Sequence, residues 1–283
     1  MQKIHQQLVT YKTNDQIELD GLLVKPFQKE LIEGKDILFL FVHGLAMNFY
    51  CPLFINIISI LVKNGYSALT ANNRGHDLTS TRLGFFEKEQ GALWELFPDS
   101  YLDILAAINF SHSLGYKNLV LIGHSLGGLK AVYYQSIVKD ESVRGIVLLS
   151  PVRSMKSLYK FRLGNSFSEV VRKAVENVKK GNGDKVIALD SANPYILSSK
   201  TIVSYMGDES IASIYLHIGK IFSPTLLMLD DKEKDFDLKY MDQNISCFEI
   251  QRVIGADHFY NGKEIQAAEI IMQWLQKSGI VFS

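Results

Sequence analysis

Two cysteines, Cys51 and Cys247, are all that 283 residues offer for covalent cross-linking. That excludes the disulfide framework of a small secreted scaffold and suits two buried thiols in a reducing cytoplasm. Neither sign of charge is in excess, since 30 Lys and Arg meet 30 Asp and Glu. A neutral chain has no overall field to attract nucleic acid or an anionic membrane, so neither is an expected partner, and a charged substrate would need a local patch. Long apolar runs are also missing. The one that begins at Leu53 is broken by Asn56, Lys63 and Asn64, and Met1–Gln7 has no signal-peptide core, so no segment is expected to span a membrane. Neither H-E-x-x-H nor a paired Cys/His spacing occurs, and no metal or other cofactor is expected.

What is present is apolar residue in quantity, 47% of the chain, enough for one large core and one domain with an insertion. Two runs rich in Val, Thr, Tyr, Ile and Leu flank Thr13-Asn14-Asp15, which predicts an opening antiparallel hairpin. Ile37–Val42 is continuously apolar, as a strand covered on both faces should be. Strand and helix patterns then alternate: a helix from Pro52 to Lys63, a strand at Tyr66–Ala71, a helix from Tyr101 and a strand at Leu119–Ile122. A helix over Leu126–Val138 and a strand at Arg144–Ser150 follow. That rhythm predicts a parallel sheet. It lapses between Val152 and Ser223, where Ser166-Phe167-Ser168-Glu169 has the form of a capping box ahead of an amphipathic helix. It resumes with Thr225–Leu229, Ser246–Ile250 and a final helix capped by Asn261-Gly262-Lys263-Glu264. The division expected is a core of residues 1–151 and 224–283 with an inserted lid over 152–223.

Gly123-His124-Ser125-Leu126-Gly127-Gly128 lies between a strand and a helix. A Ser at such a turn is driven toward sparsely allowed backbone angles, and small residues two positions to either side let the turn close. Ser125 is therefore the candidate nucleophile. A hydroxyl needs a base and the base needs an orienting carboxylate. His258, on the loop between the last strand and last helix, is the candidate base. Asp230, Asp231, Glu233, Asp235 and Asp237 crowd the loop after Leu229, and carboxylates a few residues beyond the strand can fold back, which favours Glu233 or Asp235. Asp257 adjoins His258 and should diverge from it. The N–H of Leu45, in the loop after the first central strand, and that of Leu126 are the candidate oxyanion donors. His43, Asn73 and His124 sit on the loops around the elbow and are the candidate substrate contacts.

His43-Gly44, Asn73-Arg74-Gly75-His76, Gly123–Gly128 and Asp257-His258, in that order, resemble the motifs of the α/β-hydrolase superfamily over nearly the whole chain. The resemblance implies an α/β fold, with a mostly parallel eight-stranded sheet, helices on both faces and a helical lid. It also implies serine hydrolase chemistry on a small-molecule acyl substrate, through Ser125, His258 and an acid. The family usually has Gly after the penultimate strand and Asp three residues later; here Asp230 and Glu233 take those positions, and a loop two residues longer would put Asp235 there. Acyltransferases and weakly active ligand-binding proteins share the fold. The apolar side chains of the lid suggest a partly apolar acyl group.

Overall fold

The computed structural model describes residues 4–27, 37–80, 89–189, 196–232 and 248–281. β1 (Ile4–Lys12) and β2 (Glu18–Pro26) form the expected hairpin, closed by the Thr13 N–H donating to Ile17 O at 2.9 Å. β3 (Ile37–Val42), α1 (Pro52–Lys63), β4 (Ser67–Ala71), α2 (Ser100–Ser113), β5 (Asn118–His124), α3 (Leu126–Val138) and β6 (Val143–Leu149) follow in alternation. Next come α4 (Met155–Leu163), α5 (Phe167–Lys179), β7 (Val186–Ala188), β8 (Ile196–Ser198) and α6 (Ser199–Met206). β9 (Thr225–Leu229), β10 (Phe248–Arg252) and α7 (Glu264–Lys277) complete the chain.

The main sheet has eight strands in the order β1-β2-β4-β3-β5-β6-β9-β10, and every pairing from β4 onward is parallel. Side chains alternate across it as the strand period requires. Leu38, Leu40 and Val42 enter the core cluster that α2 and α3 cover, while Ile37, Phe39 and Phe41 enter the one that α1 and α7 cover. Both faces of the central strands are therefore dry, which is why they read as unbroken apolar runs.

Because β6 and β9 are neighbours in the sheet, the chain between them leaves the strand layer and returns to it. That excursion is not loosely attached. Met155, Tyr159, Ile202, Tyr205 and Ile214 are buried in the same cluster as the inner face of α3. Among the described residues, no helix is long and apolar enough to cross a membrane.

Several local expectations fail for identifiable reasons. Ser166 makes no capping bond, because a 3-10 turn at Gly164–Ser166 runs straight into α5 and leaves Ser166 in helical backbone (φ −77°, ψ −15°). Asn261 does not cap α7; its side chain donates to Asp257 instead, at 2.8 Å, and the cap position falls to Lys263. In α2 the buried face runs through Asp103, Ile104, Ala107, Ile108 and Ser111, so His112, although at helical spacing from Tyr101, Leu105 and Ile108, turns outward. Asp103 is buried there because its carboxylate accepts from both the backbone N–H and the guanidinium of Arg74, each at 2.9 Å. Phe85, Phe86 and Cys247 lie outside the described residues, while Cys51 is a buried free thiol.

A second buried charge ties three segments together. Lys130 on α3 is ion-paired with Glu95, both side chains fully buried, and the Tyr205 hydroxyl on α6 donates to the same carboxylate at 2.5 Å. Gly75 faces this carboxylate so closely that a Cβ would stand 2.2 Å from Glu95 Oε2. Removing one member strands a charge in a dry interior, whereas replacing all of them does not. Lys130→Met should therefore lower the unfolding free energy by about 3–5 kcal/mol. Adding Glu95→Leu and Tyr205→Phe should recover most of the loss in urea denaturation. An unchanged midpoint in Lys130→Met would show that the pair carries no such penalty.

Candidate active site

The turn that joins β5 to α3 is as tight as its glycines suggest. Ser125 takes φ 54°, ψ −121°, an arrangement that L residues rarely adopt and that costs on the order of 1–3 kcal/mol. A Cβ at Gly123 would meet Gly127 O at 2.5 Å, and one at Gly127 would meet Val42 O at 2.0 Å. Helix and strand thus press together at a distance only glycine permits. The strained residue is held on every side. Its N–H donates to Leu149 O at 2.9 Å, and its carbonyl accepts from the N–H groups of Gly128 and Val152 at 3.1 and 3.0 Å.

His258 Nε2 stands 3.1 Å from Ser125 Oγ. Its loop is anchored from beneath. The His124 Nε2–H donates to the His258 carbonyl at 2.8 Å, and the two rings meet at a tilt of 51° with their centres 4.9 Å apart. The Tyr260 hydroxyl donates to Met228 O at 3.0 Å, fixing the loop to the end of β9. Burial, reinforced by the nearby His258, pushes His124 down to about 3, so it stays neutral and keeps the tautomer that donates to that carbonyl. Burial also lowers the proton affinity of His258; Asp230 and Asp257 oppose that shift and Arg162 adds to it.

The described carboxylate nearest His258 is one that the sequence does not favour. Asp230, the first residue after β9, is buried and places Oδ2 3.9 Å from His258 Nδ1. That carboxylate accepts from Lys232 N at 2.8 Å and from Ser150 Oγ at 3.3 Å. The sequence favours carboxylates farther along this loop, but the Tyr260 anchor holds the histidine loop against the end of β9, next to Asp230. Glu233 and Asp235 lie outside the described residues. Asp257 is exposed and engaged with Asn261 and the Phe259 N–H.

The loop after β3 reaches the nucleophile from the other side. A Cβ at Gly44 would stand 3.0 Å from Ser125 Cβ, so the backbone of Gly44 and Leu45 passes directly beside the turn. Leu126 is the first residue of α3, and its N–H is one of those that a helix leaves without an internal acceptor. The three candidate substrate contacts are a correction. His43, Asn73 and His124 are all buried, and none borders the open cavity at Ser125. His43 bridges two loops instead, with Nδ1–H donating to Gly44 O at 2.8 Å and Nε2 accepting from the Asn73 N–H at 2.8 Å. Burial keeps its proton affinity well below the ordinary value. Histidines packed beside the elbow are supports here because every polar atom they carry is taken up by neighbouring backbone or side chain.

The cavity measures ≈ 430 Å³ and is bordered by Ser125, His258, Phe259, Leu158, Arg153 and Arg162, among others. Leu158 and Phe259 give it apolar wall. The two arginines were not anticipated; the signal was available, since Arg153 and Arg162 flank the first stretch of chain after Ser150-Pro151, the segment expected to cover the site.

Comparison with known proteins fits this architecture. Residues 37–187 match the family described as alpha/beta hydrolase fold. Two proteins named provisionally as esterase/lipase 3 share short regions: that of Mycoplasma genitalium is 32% identical over 85 residues, 30% of each chain, and that of Mycoplasma pneumoniae 30% identical over 129 residues, 46% of this chain and 42% of its own. The matches thus span less than half of either relative. Among solved structures, Est1E from Butyrivibrio proteoclasticus with ferulic acid bound superposes with TM-score 0.71 at 16% identity, covering 95% of this chain and 99% of that one. An esterase of Pyrococcus furiosus does so with TM-score 0.65 at 17% identity, covering 97% and 91%. At such identities the likeness is one of fold.

Two outcomes test the electrostatics. Only neutral His258 can accept a proton, and its affinity is depressed, so the rate at which Ser125 reacts with a fluorophosphonate should rise through one ionisation below pH 6.5, the ordinary histidine value. A midpoint above 6.5 would contradict the burial argument. His43 and His124 are held neutral in the fold but protonate in the unfolded chain as pH falls through 6.5. The unfolded state then binds more protons, so the stability these groups contribute is present above that pH and lost below it. The melting temperature should fall from pH 7 to 5, with a shallower slope in His124→Phe.

Proposed function

The chain belongs to the alpha/beta hydrolase fold family, and on that premise we propose that it hydrolyses a carboxylic ester through an acyl-enzyme on Ser125. The observation that carries this reading is the 3.1 Å approach of His258 Nε2 to the hydroxyl of a residue held at φ 54°. Strain fixes where Oγ points, and the distance is one across which a proton can move.

In the first half-reaction Ser125 Oγ attacks the carbonyl carbon while His258 Nε2 takes the hydroxyl proton. The carbonyl oxygen becomes an oxyanion facing the N–H groups of Leu45 and Leu126. Collapse of the adduct breaks the ester C–O bond, and the departing alkoxide leaves with the proton from His258. A water then repeats the sequence on the acyl-enzyme: His258 takes its proton, its oxygen attacks the acyl carbon, and collapse returns the proton to Ser125 Oγ as the acid departs. Each oxyanion donor typically contributes about 10²–10³ in rate. Asp230 supplies negative charge beneath the imidazolium, with Glu233 and Asp235 as contenders from the sequence. The lid over residues 152–223 sets which substrates enter.

Fluorophosphonate labelling with peptide mapping tests every assigned part at once. Label should fall on Ser125, vanish in Ser125→Ala, and slow by about 10⁴ or more in His258→Ala. Of Asp230→Asn, Glu233→Gln and Asp235→Asn, the first should slow labelling most. A folded wild type that takes no label would sink the hydrolase reading, and a dominant effect of Glu233→Gln or Asp235→Asn would transfer the acid's role.

A further inference from the structure

Arg162 brings to the cavity a charge that no ion pair among the described residues takes up. Arg74 is buried against Asp103 and Asp15, Lys130 against Glu95, and Lys156 on α4 reaches Asp208 at 2.8 Å. Arg162 has no carboxylate partner among the described residues, and its guanidinium carbon rests 6.0 Å from the centre of the Tyr159 ring. It borders the same cavity as Ser125 and His258. Among the described residues the cavity wall holds two arginines, Arg153 and Arg162, and no carboxylate. α4 itself, which forms one side, carries Lys156, Lys160 and Arg162 without an acidic residue. In a chain of net charge +0, Arg162 and the basic residues of α4 put positive charge on this side of the cavity.

We propose that the substrate is an ester carrying an anionic group, a carboxylate in its simplest form, and that Arg162 holds that group beside Ser125. The inference rests on the hydrolase reading of the same site and names its substrate class. Arg is suited to the task, since its planar fork donates two parallel bonds to a carboxylate and its stem lies along apolar wall such as Leu158. An anionic substrate also changes the base. The charged groups that act on His258 are Asp230 beyond β9, Arg162 on α4 and Asp257 on its own loop, while His124 at the end of β5 faces it as a neutral ring. Of these Arg162 disfavours the imidazolium, and a carboxylate seated on Arg162 cancels that contribution. The bound substrate thus strengthens the base that must deprotonate Ser125.

Two matched pairs of esters test this. 4-Nitrophenyl hemiglutarate against 4-nitrophenyl valerate puts the carboxylate on the acyl half; 4-acetoxybenzoate against methyl 4-acetoxybenzoate puts it on the leaving half. In one pair the anionic ester should be preferred by about tenfold in kcat/KM, the size of one charge-assisted hydrogen bond. The ratio should fall toward unity in Arg162→Gln, stay above it in Arg162→Lys, and shrink with added salt. The acid limb of kcat/KM should also move to higher pH in Arg162→Gln, since a positive charge that opposed protonation of His258 is gone. Ser125-dependent turnover with no anionic preference in either pair would overturn the proposal and leave the hydrolase standing. No turnover of any ester, with Ser125 unlabelled, would overturn both. Loss of sedimentation with anionic vesicles in Arg162→Gln, with ester ratios unmoved, would assign the basic helix to a lipid surface instead.

Discussion

The contact on which the site depends is backbone against backbone: Gly127, in the first turn of α3, lies so near Val42 O at the end of β3 that a Cβ would stand 2.0 Å away. That approach draws the start of α3 across the ends of β3 and β5, and the turn between must then fold through positive φ at Ser125. Parallel strands end on one edge of the sheet, so the loops after β3, β5, β9 and β10 all open on the same side. Each brings candidate residues to that side: Gly44 and Leu45, Ser125, Asp230, His258. Strain of on the order of 1–3 kcal/mol at the turn is small against the burial of the strands that enforce it.

Two buried imidazoles then hold the loops in place. His43 links the ends of β3 and β4 through Gly44 O and the Asn73 N–H, and His124 links the end of β5 to the His258 loop. An imidazole suits this because, when neutral, it offers one donor and one acceptor on opposite sides of a rigid ring. Burial secures the neutral form. The same burial acts on His258, but that ring borders the cavity and turns Nε2 toward the Ser125 hydroxyl, the geometry on which the proposed base role rests.

The sheet was legible in the sequence because dry strands must be apolar along their length and glycines must sit where chains cross closely; Ile37–Val42, Thr225–Leu229 and Gly123–Gly128 carried that information directly. Helix starts were less legible. The Ser166 box looks like a cap, but whether it caps depends on whether the chain before it is extended, and the turn at Gly164–Ser166 is already helical. Ser125 and His258 could be named from local pattern, whereas their supports could not. His43, Asn73 and His124 were expected to meet substrate because proximity in sequence to the elbow says nothing about which side of the loop a ring takes. The approach of Asp230 to His258 could not be read locally because it depends on the Tyr260 anchor of another loop. Arg162 went unseen because the significance of one cation lies in which other charges are already neutralised.

That last point bears on how a neutral protein acquires a charged site. Buried ions must be paired, so Arg74 and Lys130 are matched by carboxylates within the fold and contribute little field outside it. The charges left to act on a ligand are those without an opposite charge beside them among the described residues, and a balanced composition conceals them. At the cavity two such influences meet on one imidazole: Asp230 at 3.9 Å favours its protonated form, and Arg162 opposes it. At that separation the carboxylate attracts without a direct hydrogen bond, so burial prevails and the resting base stays neutral. Filling the arginine with an anion tips the balance toward proton capture only when substrate is present, which ties recognition of the ligand to activation of the nucleophile through a single side chain.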